Sequence, residues 1–115
     1  MVRDPRALLW DARASGNAIE RFLSGKGFDD YLADEMLRSA VERQFEILGE
    51  ALAQLSKADP KLAEQIPDAG NAIGIRNVLI HGYAKVDSAI VWQAATQSLP
   101  KLQSAVDAPL KKLRA

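Results

Sequence analysis

Apolar positions in this chain recur at three- and four-residue steps along most of its length, and nowhere alternate for long with a period of two. That pattern predicts amphipathic helices. Asp4-Pro5 reads as a helix start, with aspartate at the N-cap and proline at the first helical position, where its missing N–H costs nothing. Leu9, Ala12, Gly16, Ile19 and Leu23 mark one inward face, and Ser24-Gly25-Lys26-Gly27 stops the helix. A second helix is predicted from Asp29 or Asp30 to about Ser56, with Leu32, Met36, Ala40, Leu48, Ala51 and Leu55 on its inner side. Gly49 is out of place there, because an interior glycine costs a helix about 1 kcal/mol relative to alanine. Close approach of a neighbouring helix is the simplest reason for it.

Residues 57–70 hold Pro60 and Pro67 and read as a connection with one short helical turn at 61–65. A third main helix carries Ile73, Ile75 and the residues that follow, with Gly82 as the place where it ends or bends. Asp87 reads as the N-cap of a last helix whose face runs Trp92, Ala95, Leu99, Leu102, Val106 and Leu110. Pro100 should kink it near the middle, and the basic tail Lys111-Lys112-Leu113-Arg114 should fray. Four main helices with short connections predict an all-α, antiparallel four- to five-helix bundle, one domain over residues 1–115.

Composition narrows the chemistry. Lys+Arg and Asp+Glu balance at 15 each, which argues against binding nucleic acid or anionic lipid by bulk electrostatics but does not exclude a local basic site. A neutral chain also has little charge repulsion to oppose self-association. With no cysteine and a single histidine, His81, there is no disulfide, no thiolate nucleophile and no multi-histidine metal site within one chain. The apolar run Ala7-Leu8-Leu9-Trp10 breaks at Asp11, too soon for a signal sequence, and no stretch is long enough to span a membrane. A cytoplasmic protein is expected.

Candidate chemistry is concentrated in Arg76-Asn77-Val78-Leu79-Ile80-His81-Gly82-Tyr83. A guanidinium offers a planar, always-charged fork that matches two phosphate oxygens, and an imidazole exchanges protons near neutral pH. On one straight helix, however, His81 lies about 140° around the axis from Arg76 and roughly 7.5 Å along it. The two then do not converge on one atom. Either the helix is distorted at His81-Gly82, or two chains of a homodimer line one groove with Arg76 and His81 of both. Spacing alone also allows a plainer reading, in which arginine and histidine near a helix C-terminus serve only the helix dipole.

The segment resembles the motif of the HepT-like proteins, a branch of the HEPN superfamily: Arg, four residues, His, any residue, Tyr. Ala40-Val41-Glu42-Arg43 followed by Leu48-Gly49-Glu50-Ala51 is similar to that family's second helix. Arg76-Asn77, Leu79-Ile80-His81-Gly82-Tyr83, Val86-Asp87 and Val91-Trp92 are similar to its second half, in order and spacing. One departure is Ala69-Gly70, where many relatives carry tryptophan; this would alter the groove's floor but not the motif. The resemblance implies a four- to five-helix bundle, a homodimer, and a ribonuclease toxin paired with an MntA-type minimal nucleotidyltransferase antitoxin, acting on RNA without metal or cofactor. It assigns His81 to proton transfer at the ribose 2′-OH or the leaving 5′-oxygen, and Arg76 to the scissile phosphate. Asn77 orients either group or merely caps backbone. Tyr83 becomes the residue to which the antitoxin transfers AMP. The alternative is a non-catalytic helical module that binds a nucleotide or a nucleotidyltransferase partner through Arg76 and His81.

Other polar features have simpler explanations. Glu42, Glu46 and Glu50 stand at four-residue steps and read as a solvated face rather than a divalent-metal site, with Glu50 kept in view because it adjoins Gly49. Arg38 and Arg43 read as surface or ion-pair residues that could supplement phosphate binding. Trp10 and Trp92 read as core or dimer contacts rather than platforms for base stacking.

Overall fold

The computed structural model describes residues 3–81 and 86–114, with the side chains of Leu113 and Arg114 left aside. Among them the elements are α1 (Pro5–Leu23), α2 (Phe28–Ala33), α3 (Glu35–Ala58), α4 (Pro60–Ala63), α5 (Ala69–His81), α6 (Ser88–Gln93), a π-helical stretch (Ala94–Ser98) and α7 (Leu99–Arg114). No strand occurs among the described residues, and the architecture is the expected all-α bundle. None of the described helices is long and apolar enough to cross a membrane.

Capping decides where the helices begin. Asp4 accepts a hydrogen bond from the Arg6 N–H at 2.8 Å, with Pro5 at the first helical position. Beyond Ser24 the chain leaves α1 through Gly25, whose φ of +73° is left-handed backbone that favours glycine. The expected helix from Asp29 or Asp30 to Ser56 is two helices. Asp34 turns its carboxylate onto the Leu37 N–H at 3.0 Å, which caps α3 and breaks the run after Ala33. Arg38 reaches back to the carbonyls of Tyr31 and Leu32 at the end of α2, so it is a cap rather than a surface or ion-pair residue.

The break rephases the inner face. Leu32 and Met36, expected inside, are 44% and 82% exposed. The core of α3 is Val41, Phe45, Leu48, Leu52 and Leu55, a four-three-four-three spacing that packs on Leu8, Leu9, Ala12 and Ile19 of α1. Tyr31 of α2 is fully buried and lies with Phe28 against Trp92, at ring-centroid distances of 5.6 and 5.8 Å. Trp92 is therefore a core contact, whereas Trp10 is 49% exposed.

The predicted kink of the last helix is a π-helical stretch placed just before Pro100. Proline has no N–H for the carbonyl four residues back, and its ring excludes that carbonyl. The turn widens instead, and the Leu99 N–H bonds to the Ala94 carbonyl five residues back. Leu99, Leu102, Val106 and Leu110 are buried against the protomer's own core, mainly under α1. That face is spent within the chain.

Candidate active site

Helix α3 lies between α1 and α5, and its contact with α5 is made close by Gly49. A Cβ at position 49 would collide with the Arg76 Cβ and come within 2.8 Å of the Ala72 carbonyl oxygen. The glycine predicted to admit a neighbouring helix thus admits α5 at Arg76 itself. Its propensity cost is offset by the packing of Ala72 and Ile75 against α3.

Arg76 is half-buried in this seam. Its Nη2 forms an ion pair with Glu50 Oε2, and its Nη1 donates to Asn77 Oδ1 at 2.7 Å. Its Nε is buried, with no hydrogen-bond partner among the described residues. Glu50 accepts a further bond at its other oxygen from Gln54 Nε2, 3.0 Å away and one turn along α3. The Gln54 hydrogen bond and then the Arg76 charge hold the Glu50 carboxyl below the ordinary carboxylate range, against a raising effect of burial. It therefore remains charged at neutral pH.

The guanidinium borders a groove of about 250 Å³ between α1, α3 and α5. Arginines enter it from three segments, each beside a carboxylate: Arg3 with Asp11 at 2.6 Å, Arg43 with Glu46 at 3.1 Å, and Arg76 with Glu50. Arg43 is the expected ion-pair residue. Of the glutamate stripe, Glu46 and Glu50 each face an arginine, while burial raises the carboxyl of Glu42. The described residues hold no group of three or more His, Cys, Asp or Glu placed to share a metal ion.

His81 does not line this groove. It is exposed in the last turn of α5, which runs as unbroken α-helix from Ala69 to His81. Of the two ways to bring the groups together, distortion of the helix is thus absent as far as His81. Arg76 and Asn77 come together; His81, one turn beyond Asn77 on the same helix, lies outside the groove that Arg76 borders. Tyr83, and the Gly82 at which the helix was expected to end, lie outside the described residues. Gly70, at the departure from the family pattern, lines a different groove bordered by Val78, Val86 and Ile90, so it does not floor the Arg76 site.

The sequence pointed to Glu50 but not to what it does. Gln54 was missed although its i, i+4 spacing from Glu50 is a readable signal. Arg3, just ahead of the first helix, and Asp11 within it had no local signal at all.

Fold and site together define an all-helical bundle that seats an arginine–asparagine pair on one helix, ahead of an exposed histidine at that helix's end. More particularly, the chain belongs to the family described as Ribonuclease HepT-like, whose pattern matches residues 14–108. It is 30% identical to "Putative RNase MJ1380" of Methanocaldococcus jannaschii, over 91% of this chain and 95% of that one. It is 32% identical to "Probable ribonuclease HepT" of Thermococcus cleftensis, over 90% and 93% of the two chains. It is 35% identical to "Putative RNase TTE0752" of Caldanaerobacter subterraneus subsp. tengcongensis, over 82% of each. No solved structure matches significantly.

Proposed function

We propose that the protein is a metal-independent endoribonuclease toxin, active as a homodimer and silenced by AMP transfer to Tyr83 from an MntA-type nucleotidyltransferase antitoxin. The observation that carries the reading is the seating of Arg76 between Glu50 and Asn77, five residues before His81, in a HepT-like ribonuclease chain. In this reaction an imidazole takes the proton from the ribose 2′-OH. The 2′-oxygen then attacks phosphorus, and the P–O5′ bond breaks as an imidazolium returns a proton to the 5′-oxygen. Arg76 meets the charge that builds on the non-bridging oxygens, and Asn77 orients Arg76. Proton transfer by imidazole needs no ion.

The straight α5 supports the reading as a dimer. Arg76 of one protomer and His81 of its partner are the pair that can share a phosphate. Val78 and Ile90, 46% and 55% exposed beside one groove, supply apolar surface for pairing. AMP on Tyr83 would bring a phosphate to the Arg76 site and exclude RNA by occupancy and by charge.

The test is cleavage of RNA in EDTA. It should leave 2′,3′-cyclic phosphate ends, and His81→Ala should slow it on the order of a hundredfold or more; parent-like cleavage by His81→Ala would refute the mechanism. For regulation, the protein is incubated with ATP, Mg²⁺ and the nucleotidyltransferase encoded beside it. The intact mass should rise by AMP units mapping to Tyr83, with loss of cleavage, and Tyr83→Phe should cleave RNA yet resist both. Full modification of Tyr83→Phe would place the acceptor elsewhere. One observation favours a second reading, a module that binds without cleaving: the charge of Arg76 is already met by Glu50. RNA bound but left intact by the purified parent would decide for it.

A further inference from the structure

An arginine that acts on a phosphate gains from being held in one place, since a free guanidinium must be ordered each time substrate arrives. Here the holding group is visible. Glu50 projects from α3 across the Gly49 seam onto Nη2 of Arg76, while Gln54, one turn on, fixes the other oxygen of the same carboxylate at 3.0 Å. Asn77 holds Nη1 from the opposite side. The Arg76 side chain is only 24% exposed, against 44% for the Glu50 side chain that grips it.

We infer that Glu50, backed by Gln54, is a positioning residue for Arg76. It fixes the guanidinium plane in the groove so that an incoming phosphodiester meets a pre-oriented fork. The inference rests on Arg76 being the phosphate-contacting group. It carries a cost that makes it distinctive. A carboxylate this close to the phosphate repels it, so the same residue that raises the rate of the chemical step weakens the binding of RNA. Removing the charge should then lower kcat without raising KM, the pattern expected when a ground-state penalty and a transition-state benefit disappear together. A residue that merely supported the fold would not produce that split.

Two measurements on the full chain test this. In ¹⁵N-labelled protein, the Arg76 Nη groups, identified by their absence in Arg76→Lys, should give separate signals because the ion pair slows rotation of the guanidinium. Glu50→Gln should collapse them, and Gln54→Leu should do so in part. In parallel, Glu50→Gln should cleave RNA with kcat lower on the order of tenfold and KM unchanged or reduced. Signals already averaged in the parent, or unaffected by Glu50→Gln, would overturn the inference, as would a parent-like kcat in Glu50→Gln. If neither protein cleaves RNA, the ribonuclease reading falls, while the side-chain signals still decide whether Glu50 holds Arg76.

Discussion

The two sides of α5 contrast sharply. Toward α3 the helix is packed to the limit: Ala72 and Ile75 are buried, Arg76 is clasped by Glu50, and Gly49 opposite leaves no room for even a methyl group. Away from α3 it presents Val78 and His81 to solvent. One face is shared with the fold, the other is not. Substitutions on the packed side should therefore disturb stability and activity together, whereas those on the open side should disturb activity alone.

His81→Ala gives the largest separation of the two. RNA cleavage should fall by on the order of a hundredfold or more, as for loss of an acid–base group, while the thermal midpoint barely moves, because an exposed substitution changes stability by no more than about 0.5 kcal/mol. A large drop in midpoint would show that the open side is also structural. Arg76→Ala should lose activity to a similar extent, on the order of a hundredfold, by removal of the charge stabiliser.

Next in size is Gly49→Ala. Alanine favours a helix over glycine by about 1 kcal/mol, but the collision with Arg76 and the Ala72 carbonyl outweighs it. Overpacking of this kind costs about 1–3 kcal/mol, so denaturant unfolding should show a net loss of stability along with weaker cleavage. A stabilised Gly49→Ala would contradict the close approach.

The smallest effect is in acid. The folded-state pKa of Glu50 is depressed below the usual 4.5, so its contribution to stability is present above that pH and is lost as pH falls through the folded value. The group is 44% exposed, and solvent screening limits the contribution to a few tenths of a kcal/mol. Parent and Glu50→Gln should differ by that small amount at neutral pH and converge below pH 4.5.

Much of this contrast was legible in the sequence, for physical reasons that differ by position. Asp4-Pro5 and Asp87 declared their helices because an N-cap depends only on neighbouring residues, and both cap as expected. Asp34 is the same device, but it lies inside a stretch whose apolar spacing reads as one continuous helix, and that spacing places Leu32 and Met36 inside. Pro100 announced a disturbance but not its form, since whether a helix kinks or widens depends on what its flanks pack against. Gly49 announced a close approach without naming the partner. The clasp of Arg76 by Glu50, and the entry of Arg3 and Asp11 into the groove, join residues far apart in the chain. No local pattern encodes them.

The central claim is that Arg76 of one protomer works with His81 of the other, and mixing two impaired variants tests it most directly. Arg76→Ala and His81→Ala, each slowed on the order of a hundredfold, are combined under conditions that exchange subunits, and cleavage is measured with sedimentation confirming dimers. About half of the dimers should be mixed, and one of the two sites in each should be intact, so about a quarter of the parent activity should return. A mixture that exchanges subunits yet stays as slow as either variant alone would contradict the composite site.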